Sequence, residues 1–330
     1  KALLAAHGPE LHEAAEKHNV DLFYEASVAG GIPIIKALRE GFVANRIDSV
    51  SGIVNGTCNY ILTRMHDEGL EFDEALADAT TLGYAEADPT LDIGGFDAQH
   101  KIGILASLAF GQWVPQERIH VEGITNVTAF DIGCAREMGY TIKLIALAKV
   151  HDDAIEARVC PTLIPDYEML AKVSGAFNAV EVDGEPIGRT MFYGQGAGMD
   201  ATSSAVVADI LDIARNIGHG SQRRMPAFTF MGSEIPIRAM ADIETCYYVR
   251  CSVDDRPGVI ANIAEEMGAR NISISSVIQH EKGEPAAPFA SVTFMTHEAR
   301  EKDVQDAVRA IDALQAAKAE TVLFRVEKNA

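Results

Sequence analysis

The sequence predicts an α+β protein, a mixed-sheet domain followed by a smaller β-α-β-β-α-β unit. Three observations carry this. Strand–loop–helix units fill the N-terminal third of the chain. Residues 118–193 alternate with strand period, as in Ile155-Glu156-Ala157-Arg158-Val159 and Ala179-Val180-Glu181-Val182, with turn signals such as Asp183-Gly184 between runs. From Cys246 onward the order is strand, helix, strand, strand, helix, strand. A length of 330 residues, 48% hydrophobic and 23% charged, suits two or possibly three domains of ordinary globular make-up, with enough apolar surface for a large core.

Taken in order, residues 2–18 read as a helix broken at Gly8-Pro9, with Glu10 and Glu13 opening its second piece. Val20 to Val28 is rich in β-formers and reads as a strand, running through Ala29-Gly30-Gly31 into a helix start at Pro33. Arg46 to Val54 is a second strand, ended by Asn55-Gly56-Thr57. Helices follow over about 58–66, over 72–82 with a stop at Gly83, and over 95–110. Tyr140 to Ala148 is helix or strand, since a short apolar run has no decisive period. Gly194 to Gly198 is a glycine-rich loop opening a helix over 202–217, and residues 218–244 read as a linker with some strand. The terminal unit has strands at 247–253, 272–279, 290–296 and 321–326 and helices at 258–269 and 298–317.

Lys plus Arg number 28 against 48 Asp plus Glu, a net charge of −20 with no basic run. Such a chain repels a phosphate backbone and an anionic membrane surface, and its one tryptophan, Trp113, offers no stacking platform for bases. No apolar run approaches the ~20 residues that span a bilayer. The five cysteines (Cys58, Cys134, Cys160, Cys246 and Cys251) form no CxxC pair and have no His at metal-ligand spacing. They read as reduced, mostly buried thiols of a cytoplasmic protein. There is no signal peptide, and Lys1 in place of methionine, opening directly into a helix, suggests a fragment without its original N-terminus.

Four motifs can carry chemistry. GYAEADPTLDIGGFDAQHK (Gly83 to Lys101) gathers Glu86, Asp88, Asp92, Asp97 and Lys101. Asp97 and Lys101 stand at i, i+4 on a helix that is otherwise apolar, so they share one face of a mostly buried element. They are a structural salt bridge, or an oriented ammonium in an acidic cleft where Glu86 and Asp92 suit a substrate amino group. NGTCNY (Asn55 to Tyr60) is a turn and helix cap. Its N–H groups and the Thr57 hydroxyl also make a pocket for a carboxylate or amide. GQGAG (Gly194 to Gly198) is no full dinucleotide fingerprint, but it lets backbone approach a ligand closely. DDRPGV (Asp254 to Val259) is a tight turn, or a ligand pocket where two copies of the terminal unit pair edge to edge. His66, His100 and His151 have no triad or HExxH spacing and read as ordinary.

KALLAAHG, YEASVAGGIPII, NGTCNYIL, GYAEADPTLDIGGFDAQHK and GQGAGMDATSSAVVADI, in that order, resemble the homoserine dehydrogenase family over residues 1 to about 235. The remainder resembles an ACT domain, a small amino-acid-sensing module. The resemblance implies 1–30 as the tail of a Rossmann nucleotide-binding domain, 31–200 as the catalytic and dimerisation domain, 201–244 as a return helix and linker, and 245–330 as the ACT domain. It implies interconversion of L-homoserine and L-aspartate 4-semialdehyde with NAD or NADP, for threonine and methionine biosynthesis, in a homodimer or homotetramer.

By match, Lys101 is the proton donor and acceptor, Asp97 holds the substrate beside it, and Lys1 is a second active-site lysine that also meets the cofactor. Glu86 binds the substrate amino group, with Asp92, Thr57 and Tyr84 lining the site. Gly83, Gly196 and Gly198 touch the nicotinamide cofactor, and carbonyls around Glu25, Val28, Gly30 and Ile32 hold Na+. Ala201 stands where many members have proline. Burial and a second ammonium lower a lysine pKa while Asp97 opposes them, which tunes Lys101 toward a proton shuttle. The ACT effector implied is an amino acid, threonine first. Family members open with about 100 residues of Rossmann fold, and without them the fragment is expected to be nearly inactive. The rival reading is a non-catalytic module that senses an amino acid.

Overall fold

The computed structural model describes residues 1–151, 154–225, 234–280 and 289–328. Its strands are β1 (Arg46–Ile53), β2 (His120–Val121), β3 (Tyr140–His151), β4 (Ala154–Pro165), β5 (Phe177–Glu185), β6 (Thr190–Gln195), β7 (Glu244–Val253), β8 (Ile274–His280), β9 (Ala290–Thr296), β10 (Ala299–Arg300) and β11 (Val322–Val326). The helices are α1 (Ala2–Lys17), α2 (Ile34–Lys36), α3 (Gly56–Glu68), α4 (Phe72–Thr81), α5 (Thr90–Ile93), α6 (Phe96–Phe110), α7 (Ala129–Glu137), α8 (Met199–His219), α9 (Val259–Gly268) and α10 (Glu301–Asp312).

The alternation of 118–193 becomes an antiparallel ladder, β6-β5-β1-β3-β4, with β2 parallel to β4. On β3, Ile142, Leu144, Ala146 and Ala148 face a core shared with Ile61, Leu62 and Met65 of α3 and Ile102 and Leu105 of α6. Ile145 and Leu147 face the other way, onto Ile53, Ile164, Leu170 and Val173. The undecided apolar run is therefore a strand covered on both faces, which is why it lacks polar alternation.

The terminal unit has the strand order β11-β7-β9-β8 expected of a ferredoxin-like fold. Tyr247, Val249, Cys251 and Val253 of β7 face Ile263 of α9 and Val304 and Ile311 of α10, whereas Cys246 and Tyr248 point into the first core. The unit is not a free-standing neighbour. β11 pairs in parallel with β4, Arg325 opposite Thr162 and Val326 opposite Leu163, so one eleven-stranded mixed sheet runs through both parts.

Other expectations change. Residues 20–28 are not a strand but extended chain and a 3-10 turn over Glu25–Ser27. The Glu25 N–H is taken by Asp209 on α8, and Gly30 and Gly31 bond the carbonyls of Gly196 and Gln195. Tyr24 and Val28 are buried there without a ladder, and the Glu25 N–H turns to the Asp209 carboxylate of α8 instead of a strand. Residues 118–193 also contain a helix, α7, signalled by Thr128, whose hydroxyl accepts from the Asp131 N–H. α1 spans the Gly8-Pro9 break with a kink at His7. The linker strand reduces to a bridge between Ile155 and Ile237, and residues 226–233 of that linker lie outside the described residues. All five cysteines are free and buried. Among the described residues, no helix is long and apolar enough to cross a membrane.

Candidate active site

The end of β1, the start of α3 and the start of α6 meet at one point. β1 delivers the Val54 carbonyl and Asn55, α3 begins at once, and α6 presents Asp97 in its first turn and Lys101 one turn later. Lys101 Nζ donates to Val54 O at 2.6 Å and to Asp97 Oδ2 at 2.7 Å. Lys1 Nζ donates to the other oxygen, Asp97 Oδ1. The Asp97 side chain is 5% exposed and that of Lys101 12%, whereas Lys1 is 41% exposed, so the second ammonium faces the opening.

Burial alone would push Asp97 up, but the Lys101 and Lys1 ammoniums override it and hold the carboxyl down at about 2. Burial pushes Lys101 below the ordinary lysine range, Asp97 opposing and Lys1 reinforcing the shift. The arrangement is a buried amine fixed by two acceptors.

Asn55 completes the cluster. Its amide nitrogen donates to Asp92 Oδ1 at 2.7 Å and to Asp97 Oδ2 at 2.8 Å, while its oxygen accepts the Cys58 N–H at 2.8 Å. The Cys58 thiol donates to the Asp92 carbonyl at 3.1 Å. Thr57 Oγ1 donates to the Tyr84 carbonyl at 2.7 Å, and the Tyr84 ring lies 4.8 Å from that of Tyr60. Asp92, Asp97, Lys101 and Lys1 are therefore joined through Asn55 in one hydrogen-bonded cluster, with Thr57 and the half-exposed Tyr84 beside it. Glu86 is exposed on the loop between α4 and α5, outside this hydrogen-bonded cluster.

Sequence reasoning overlooked three participants. The Asn55 amide was read only as part of a turn and cap, and the Val54 carbonyl leaves no sequence trace. His100, read as ordinary, sits where burial and Lys1 push its pKa down. The available signal was an N-cap asparagine placed between a strand end and an acidic helix start.

The remaining expected residues lie apart from this cluster. Gly83 is exposed just beyond α4. Gly196 is pinned by the Gly30 N–H at 2.9 Å, and a Cβ on it would fall 2.1 Å from the Asn178 side chain. Asn178 Oδ1 is buried there without a hydrogen-bond partner, an open acceptor that fits the amide of a nicotinamide. The Glu25 carboxylate accepts the Ile35 and Lys36 N–H groups, and its carbonyl accepts the Val28 N–H at 3.5 Å. Ile32 O already accepts from Ile34 N at 2.8 Å. Among the described residues, the carbonyls of Val28 and Gly30 accept no hydrogen bond, which leaves them available to a cation. No group of three His, Cys, Asp or Glu that could hold a metal occurs among the described residues.

Comparison with known proteins identifies similar chains. The homoserine dehydrogenase family matches residues 33–211 and the ACT domain family residues 247–316. A homoserine dehydrogenase of Neisseria gonorrhoeae is 45% identical over 330 residues, 99% of this chain and 75% of that protein. The crystal structure of a homoserine dehydrogenase from Thiobacillus denitrificans superposes with a TM-score of 0.92 at 44% identity, over 99% of this chain and 74% of that one. A hyperthermophilic archaeal homoserine dehydrogenase mutant in complex with NADPH matches at TM-score 0.57 and 30% identity, over 64% of this chain and 61% of that one.

Proposed function

The chain belongs to the homoserine dehydrogenase family and carries a C-terminal ACT domain, and from that premise we propose how its residues serve the reaction. The activity is NAD(P)-dependent interconversion of L-homoserine and L-aspartate 4-semialdehyde, a step toward threonine and methionine. Amino-acid sensing then belongs to the ACT domain beside catalysis, not in place of it.

The buried Asp97–Lys101 pair carries the mechanistic reading. Neutral Lys101 takes the hydroxyl proton as homoserine is oxidised, and its ammonium returns that proton to the aldehyde oxygen in reverse. Bound nicotinamide, NAD or NADP, supplies the hydride acceptor or donor at the substrate carbon. Asp97 and the Val54 carbonyl fix where Nζ points, and Lys1 supplies a second positive charge at the mouth. Asp92 and Glu86 attract the substrate ammonium, and Thr57 and Tyr84 form the wall. Lys1, Gly83, Gly196 and Gly198 would hold the cofactor, with Asn178 Oδ1 an acceptor for its amide. Carbonyls of Glu25, Val28, Gly30 and Ile32 would hold Na+, with Val28 and Gly30 as the donors left over by the loop's own bonds.

The central sheet would form the dimer interface, within a dimer or tetramer. An amino-acid effector, threonine first, would bind at Asp254–Val259, which with Gln279 and Val292 lines a cavity of about 320 Å³. In the intact protein, Lys101→Ala is the decisive variant. L-homoserine-dependent NAD(P)H formation should fall by roughly 10²–10⁴-fold with an unchanged circular dichroism spectrum. Persisting turnover would overturn the proton-shuttle role.

A further inference from the structure

We propose that Asn55 is a positioning residue that holds Asp92 and Asp97 in register, so that the substrate-binding carboxylate and the proton-shuttle pair act on one bound homoserine. The inference rests on the roles given above to Lys101, Asp97 and Asp92. Its own basis is geometric. One amide nitrogen bridges two carboxylates of different elements, at 2.7 Å to Asp92 after α5's start and 2.8 Å to Asp97 on α6. Asn55 is 5% exposed and its bond to Asp97 is buried, where a charge-accepting hydrogen bond is worth most, while its bond to the half-exposed Asp92 lies at the edge of the site.

The amide solves an electrostatic problem. Two carboxylates this close repel each other. The N–H groups between them satisfy both without adding charge. Asp97 Oδ2 then shares its lone pairs between Asn55 and Lys101, which limits how tightly it holds the ammonium. The groups that face Lys101 are Asp97, Lys1, Asp92 and the buried Cys58 thiol, with His100 near Asp97 and Lys1. Asn55 is the neutral member that sets the distances among them. Its oxygen, meanwhile, caps α3, so the helix fixes the amide's orientation.

That double role suggests the test. Asn55→Ser and Asn55→Asp both retain an oxygen that caps α3, and neither offers an amide donor to the carboxylates. Lys101 is followed by the 13Cε resonance in lysine-labelled chain, assigned by its loss in Lys101→Ala, while kcat and KM for L-homoserine are measured against pH. With Asn55→Asp the Lys101 titration midpoint should rise by at least one pH unit, and the acidic limb of kcat for homoserine oxidation, where Lys101 becomes protonated, should follow it. With Asn55→Ser, kcat/KM should fall by about 10²-fold, since a misplacement of roughly 1 Å suffices for that. Thermal midpoints near that of the parent would show that the cap is kept. If both variants titrate Lys101 as the parent does and keep kcat/KM within threefold, Asn55 is a helix cap alone and the proposal is wrong. If Lys101→Ala itself keeps full turnover, the failure lies in the shuttle reading beneath it, and the proposal is overturned with it.

Discussion

Lys143 shows what a single buried charge does to this fold. Its Nζ donates to Asn59 Oδ1 at 3.1 Å and to Val173 O at 2.7 Å, and among the described residues it has no carboxylate partner. The residue is 3% exposed, and burial pushes its pKa from 10.5 down to about 8. Between those values the unfolded chain binds a proton that the folded chain does not, so stability rises with pH across that window. Below pH 8 the full penalty of burying the ammonium stands. Urea unfolding of the parent and of Lys143→Met at pH 7 and pH 10 should show the variant's relative stability falling by up to roughly 3 kcal/mol at the higher pH. A difference independent of pH would mean that water reaches Nζ. The sequence shows Lys143 only as one polar letter inside an apolar run. Asp97 and Lys101 were more legible, because a charged i, i+4 pair on an apolar helix is conspicuous. The Asn55 amide was not, because its two partners come from other elements.

At the scale of elements, the site depends on how α5 and α6 are seated. The chain after β2 passes directly behind them: Ile124 N donates to Ile93 O at 2.8 Å, and Glu122 N bonds Val159 O on β4 at 2.8 Å. Gly123 lies between these two bonds, and a Cβ there would stand 2.1 Å from Ile93 O and 2.7 Å from Gly94 Cα. Neither contact is the end of a flexible side chain, so the backbone must move. Gly123→Ala should destabilise by about 1–3 kcal/mol, as overpacking does. It should also raise KM for L-homoserine, because Asp92 belongs to α5. A parent-like KM together with a lowered melting midpoint would show that α5 moves without carrying Asp92 along. The start of α3 was well read from sequence because the Asn55 cap and an apolar face coincide there. Residues 20–28 were misread because β-forming composition cannot tell a ladder from a buried loop bonded to α8. α7 was hidden by the strand alternation on either side of it, although Thr128 marks its start.

For the whole molecule, the decisive feature is that the catalytic and ACT parts share one sheet. The junction is a short parallel pairing of β4 with β11, and a line of buried ions lies along it. Arg325, 1% exposed, donates to Glu301 on α10 and to Glu122 beyond β2, and Tyr247 OH donates to Glu301 at 3.0 Å. On the neighbouring strand β7, Arg250 and Tyr248 bind the fully buried Asp131 of α7 at 2.6 and 2.9 Å. The two sequence units were legible from their element order. Their fusion was not, since pairing between residues so far apart in sequence leaves no periodic trace. The fusion makes a prediction that two loosely tethered domains would not. Thermal unfolding should be one cooperative transition, because neither part can lose its strands without exposing the other's core. Arg325→Met leaves Glu301 and Glu122 without their guanidinium, and removing one partner of a buried ion pair costs roughly 3–5 kcal/mol. Differential scanning calorimetry should therefore show the whole transition moving down together. Two resolved peaks in the parent, or a shift confined to one peak in the variant, would show that the sheet does not couple the halves.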